Sequence, residues 1–164
     1  MYLLEQHIID SYMPKMPKWG FTNFHPSHLD GYKGLDDYEL SEMSINDRKQ
    51  FFINQSEHGP TISASYDNHI VAIYGGVILW RGVAEAWSLF DSEVRIHKLG
   101  MCKAALAFFD MLLIAFDLHR VQITVKKDNE RDVAWATYMG FEPEGLMTAY
   151  SADKEDYYMM RILR

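Results

Sequence analysis

Cysteine is almost missing from this chain: its 164 residues include one, Cys102. A lone cysteine closes no intramolecular disulfide, so the fold must rest on a packed core, and it suits a reducing compartment. Proline is scarce too, five residues in all, and Pro14, Pro17 and Pro26 fall in the first third. Positive charge is in deficit, with 16 Lys and Arg against 23 Asp and Glu, a net charge of −7. A protein living on phosphate contacts would carry the opposite sign, so no nucleic-acid partner is expected. The acidic balance fits either plain solubility or an amine-bearing partner. Long apolar runs are also lacking. The most apolar stretch, Ala104 to Phe116, is interrupted by Asp110 and is too short to cross a bilayer, so no membrane role is expected. The opening MYLLEQHIID has Glu5 and Asp10 where a signal peptide would be basic. A cytoplasmic protein is the expectation.

What is present is a core. Hydrophobic residues make up 48% of the chain and aromatic residues 14%, enough for one sizeable domain and too many for a disordered one. No repeat, low-complexity tract or linker divides it, so residues 1–164 are read as a single domain. Its character changes near Pro60, between a polar, proline-bearing 1–59 and a compact remainder.

In the first part, residues 1–13 suggest a short amphipathic helix with Leu3, Leu4, Ile8 and Ile9 on one face, ended by Pro14. Trp19 to Phe24 reads as a strand. Leu35 to Phe52 reads as helical and polar, with Leu40, Met43 and Phe51 as anchors and a helix start at Ser44 to Asp47.

Beyond Pro60, Thr61–Tyr66 and Ile70–Leu79 bracket Asp67-Asn68, a pair that tolerates the positive φ of a tight hairpin. Ala84–Phe90 follows as a third strand. Leu99–Leu118 is the strongest helix. Its charges Lys103, Asp110 and Asp117 recur every seven residues as one narrow stripe, so the rest of its circumference is expected to be buried. Val121, Ile123 and Val125 alternate as a strand. Asn129 is a natural N-cap and Gly140 a natural stop for a short helix between them. Two closing strands are expected at Leu146–Tyr150 and Tyr157–Leu163. The order from residue 61 is βββ–α–β–α–ββ, a mixed α/β architecture.

That order, with three segments, resembles the GNAT superfamily of acetyl-CoA-dependent N-acetyltransferases over about Thr61 to Leu163. The segments are AEAWSLFDSEVRIHKLGMCKAALAFFDML, NERDVAWATYMGF and the closing hairpin with its YY-M-R-I-L run. The resemblance implies a twisted mixed sheet of six or seven strands with flanking helices, splayed between Ala84–Phe90 and Val121–Val125. It makes 60–164 the coenzyme-binding core and 1–59 a variable N-terminal region.

It also assigns residues. The family's pyrophosphate loop, Q/R-x-x-G-x-G/A, falls on His97, Lys98, Leu99, Gly100, Met101 and Cys102, with Phe90 and Asn129 completing the coenzyme set. A turn feeding a helix N-terminus offers unpaired N–H groups to an anion on physical grounds alone, and a plain strand-to-helix turn is the other reading. His97 replaces the usual Arg or Gln, and Cys102 the usual Gly or Ala. Seven residues after Asn129, where members often carry a tyrosine acid, stands Ala136; the catalytic candidate for that proton is then Tyr138, about 200° further round a helix, or a water.

Acetyl transfer needs a base to take a proton from the amine, and Glu85 on the third strand is the candidate, with Asp91 and Glu93 at its end; all three also read as solvated edge carboxylates. The acceptor would be a small-molecule or protein amine. Trp80, Trp87, Trp135, Tyr74 and Phe90 read either as core or as the lining of an acceptor cleft. His25 and His28 lack further ligands, so no metal is expected, and Lys126-Lys127 reads as a solvated strand end. A looser likeness, to GNAT-like internal virion proteins of short-tailed phages, implies instead an inactive protein that self-associates or joins an assembly.

Overall fold

The computed structural model describes residues 2–36 and 42–164, apart from the side chains of residues 93–95. The expected anchor Leu40 and the Glu93 side chain lie outside the described residues. Among these residues, seven strands form one sheet in the order β1-β2-β3-β4-β5-β7-β6. They are β1 (Trp19–Asn23), β2 (Thr61–Tyr66), β3 (His69–Trp80), β4 (Val83–Phe90), β5 (Arg120–Lys126), β6 (Glu142–Met147) and β7 (Tyr157–Leu163). The helices are α1 (Gln6–Tyr12), α2 (Ile45–Ser56), α3 (Lys98–Ala115) and α4 (Glu130–Tyr138).

Local chemistry accounts for the joints. Asp67 and Asn68 both adopt positive φ, +49° and +66°, and close the β2–β3 hairpin. Ser44 caps α2 by accepting the Asp47 N–H. Gly140 stops α4 at φ +95°, a region costly for any residue with a Cβ. Strand β5 buries Val121, Ile123 and Val125 and leaves Arg120, Gln122, Thr124 and Lys126 on the opposite face.

Two apolar layers sandwich the sheet. On one face, α1, α3 and α4 pack through Ile9, Phe108, Phe109, Met111, Leu112 and Ala136, with Phe141 just after α4, onto Tyr74, Ala84, Ala86 and β5. On the other, Phe24, Leu29, Tyr32, Leu35 and Phe52 pack onto Ile73 and Leu89. Fully burying an aliphatic or aromatic side chain contributes about 1.5–3 kcal/mol, so both layers matter. The adjacent glycines of β3 let them close in. A Cβ on Gly75 would overlap the Trp87 ring, and one on Gly76 would press on Leu112 of α3.

Several expectations are corrected. Helix α3 ends at Ala115, not Leu118, and it is not buried nearly all round: Leu99, Leu106 and Ile114 join Lys103 and Asp110 on an exposed face. Leu35–Phe52 is not one helix. A 3-10 turn, Lys33–Leu35, lies at its start, α2 runs only from Ile45, and the fully buried anchor is Phe52 rather than Phe51. The strand expected at Leu146–Tyr150 runs instead from Glu142 to Met147, with a bulge between Pro143 and Gly145 that accommodates the proline and a turn through Ala149 at φ +51°. At the N-terminus only Ile9 is fully buried, while Leu3 is exposed ahead of the helix.

Candidate functional site

The sheet opens where β4 meets β5. These parallel strands pair only at Val83↔Arg120, Ala84↔Val121 and Glu85↔Gln122. Past Glu85 no strand pairs with that edge of β4 among the described residues, whereas β3 stays paired to its other edge through Phe90. The Asp91 N–H bonds to the Val71 carbonyl of β3 at 2.9 Å. Strand alternation therefore turns the N–H groups of Ala86, Ser88 and Phe90 toward the gap, a row of backbone donors with no ladder partner.

Glu85 sits at the apex of this opening, on the face away from α3. Gln122 Nε2 donates to its Oε2 at 3.2 Å, and Arg120 Nε donates to Gln122 Oε1 at 3.0 Å. Arg120 also grips Glu144 of β6 with both terminal nitrogens, which holds the Glu144 carboxyl below its ordinary pKa through hydrogen bonding. Sequence reading missed Gln122. The alternation of β5 gave its face, but only the register shows it opposite Glu85.

Helix α3 begins at the far end of the gap. A 3-10 turn, Ser92–His97, leads from β4 into it, and its N-cap His97 makes no side-chain capping bond. The expected loop residues divide between two neighbourhoods. His97 is stacked on Tyr66, ring centroids 3.9 Å apart, with Trp19 edge-on at 6.4 Å. Gly100 lies under the same indole: a Cβ there would come within 2.6 Å of Trp19 Cζ2. Trp19 and Tyr66 were not singled out in the sequence, since β1 and β2 are remote from residue 100 along the chain. Lys98 and Leu99 are exposed, and with Met16, Pro17, Trp19, Ile96 and Lys103 they line an open groove of about 470 Å³. On the other side, the Tyr74 hydroxyl donates to the Met101 carbonyl at 3.2 Å. Cys102 faces that side, where burial pushes its thiol pKa up, partly countered by the Trp135 N–H.

Phe90 and Trp135 face each other, centroids 5.5 Å apart, between the end of β4 and α4. The aromatic residues read either as core or as a cleft lining do not converge on one cleft. Tyr74, Phe90 and Trp135 lie on the α3 side, Trp87 packs on Phe52 at 5.0 Å on the other, and Trp80 is exposed at the end of β3. Asn129 caps α4, its Oδ1 accepting from the Asp132 N–H and its Nδ2 donating to Asp132 Oδ2, so both ends of the amide are engaged locally. Ala136 is fully buried in the core, and Tyr138 is 69% exposed on the solvent side of α4. The structure does not bring Tyr138 together with Glu85. Asp91 is buried and accepts from the Ser92 hydroxyl at 3.2 Å. His25 and His28 are bonded to Ser27 and Ser63 rather than converging with further ligands.

Neither a protein-family sequence model nor a curated protein sequence matches the chain. Solved structures do. A GNAT-family acetyltransferase from Bacillus anthracis superposes with a TM-score of 0.72 at 15% identity, covering 91% of this chain and 96% of that one. RimL, a ribosomal L7/L12 alpha-N-protein acetyltransferase in complex with coenzyme A, gives 0.72 at 15% identity over 92% and 97%. A chimera of the spermidine N-acetyltransferase SpeG from Vibrio cholerae with hSSAT gives 0.73 at 14% over 89% and 95%. At these identities the likeness is one of fold, and it spans both chains nearly end to end.

Proposed function

We propose that this GNAT-fold chain is an N-acetyltransferase that moves an acetyl group from acetyl-CoA to a primary amine. The observation that carries the reading is the β4–β5 opening with a carboxylate at its apex. The gap offers unpaired strand N–H groups of the kind that fix an extended amide-bearing arm and polarise a thioester carbonyl. Lys98 and the start of α3 supply cationic and N–H partners for a pyrophosphate at the far end. The engaged positions of His97 and Asn129 assign them a structural part first, and leave Lys98, Leu99 and the α3 backbone as the main coenzyme contacts.

Glu85 takes a proton from the ammonium, directly or through a water, and the freed nitrogen lone pair attacks the thioester carbonyl. The C–N bond forms, the C–S bond breaks, and the thiolate leaves with the bonding electrons. With Ala136 in the core and Tyr138 in solvent, neither of these positions on α4 offers a hydroxyl to that thiolate, so water protonates it and turnover is slow. Positioning supplies most of the acceleration. The acceptor is an amine on a small molecule or a polypeptide, the two classes named for SpeG and RimL. The test is release of free CoA thiol with spermidine or an N-terminal peptide as acceptor. Acceptor-dependent release supports transfer. Coenzyme binding without release, or no binding at all, favours the second reading that the buried Ala136 and exposed Tyr138 allow, an inactive GNAT-fold protein in an assembly.

A further inference from the structure

We propose that the outer face of α3 is a self-docking surface, on which a second copy of this chain binds antiparallel to the first. Leu99, Lys103, Leu106, Asp110 and Ile114 occupy an arc of about 80° at 100° per residue, and all five are exposed. Three are large apolar side chains of a kind usually covered. Neither Lys103 nor Asp110 has an ion-pair or hydrogen-bond partner among the described residues.

The spacing names the occupant. Residues 103 and 110 lie symmetrically about the midpoint between Leu106 and Ala107, and so do 99 and 114. A two-fold axis through that midpoint, with the helices antiparallel, sets Lys103 against the partner's Asp110 and Asp110 against the partner's Lys103. The same axis sets Leu99 against the partner's Ile114 and brings the two Leu106 side chains together at the centre. Parallel docking in register would instead place Lys103 on the partner's Lys103 and Asp110 on the partner's Asp110. An isologous contact has to be self-complementary, and this stripe is so in one orientation only. The contact, from Leu99 to Ile114, runs along about 22 Å of an 18-residue helix. That is small for an interface, so the dimer is weak and sensitive to salt. The surface shares Leu99 and Lys103 with the groove assigned to the coenzyme, so association is measured on the coenzyme-free protein.

Sedimentation equilibrium of the full chain, from micromolar to submillimolar protein at low and moderate salt, tests it. Reversible dimerisation that weakens with salt is expected. Lys103→Asp and Asp110→Lys, each of which sets two like charges opposite each other twice per dimer, should raise the dimer Kd at least tenfold. The double variant Lys103→Asp/Asp110→Lys should return it to near the wild-type value. Both sites are exposed, and circular dichroism checks that every variant is folded. A wild type that stays monomeric throughout overturns the proposal. So do single variants that associate like the wild type, or a double variant as weak as the singles.

Discussion

Gln122 and Glu85 face each other across the last paired position of β4 and β5, joined by a 3.2 Å hydrogen bond from amide to carboxylate. The Glu85 carboxylate is therefore oriented by a neutral group, while Arg120, which also bonds Gln122, is occupied by Glu144. This arrangement leaves one Glu85 oxygen for an incoming amine or water.

If Glu85 is the base, Glu85→Gln lowers kcat/KM by about 10²–10⁴-fold and leaves the Kd for acetyl-CoA nearly unchanged. Steady-state kinetics beside calorimetric binding checks both halves. An unchanged rate across pH 6–9 would remove Glu85 from the chemistry.

Tyr138→Phe is expected to change neither turnover nor melting temperature, because the ring is largely in solvent and its hydroxyl meets nothing among the described residues. A fall in kcat would mean that α4 moves on substrate binding to bring this hydroxyl to the thiolate.

Gly100→Ala should destabilise the protein before any coenzyme is added, since the new Cβ would press on the Trp19 ring. Overpacking of this sort costs about 1–3 kcal/mol. Chemical denaturation reads it directly, and Trp19→Ala should make the added Cβ harmless. A glycine needed only for close approach of a phosphate would show no such coupling in the coenzyme-free protein.

His28 sets a pH dependence of stability. Its Nδ1 sits 2.8 Å from the Ser63 hydroxyl and accepts the His25 N–H at 3.2 Å, and burial followed by the neighbouring His25 lowers its pKa. The unfolded chain, with an ordinary histidine pKa near 6.5, takes up this proton first as pH falls. Stability is thus complete above about pH 6.5 and declines below it, down through the lowered native pKa. His28→Asn retains an acceptor near Nδ1 but cannot titrate, so its melting temperature should fall less between pH 7 and pH 5.5. An identical decline in both proteins would assign the effect to other groups.

Much of the sheet was legible in the sequence because local chemistry decides it: the Asp67-Asn68 hairpin, the alternation of Val121, Ile123 and Val125, the Asn129 cap and the Gly140 stop are each settled within a few residues. The splay between β4 and β5 followed from the family resemblance, not from local pattern. What stayed hidden depends on residues far apart in the chain. Trp19 meets Gly100 only because β1 folds beside α3, and Gln122 meets Glu85 only through strand register. Four of the aromatic residues divided between the two faces and Trp80 stayed exposed, because composition cannot say which side of a sheet a ring takes. The heptad stripe of α3 showed its charges but concealed its exposed Leu106 and Ile114, since apolar residues at a solvent face look like core until the packing is seen.

Coenzyme binding is read without any assumption about the acceptor by the melting temperature of the protein with and without acetyl-CoA. Acetyl-CoA at about a hundredfold over its Kd stabilises a one-site binder by about 2.7 kcal/mol. For a chain of this size that raises Tm by roughly 6–10 °C. A competent coenzyme site gives such a shift, weakened when Lys98 is replaced by Glu. No shift at millimolar acetyl-CoA or CoA would contradict such a site.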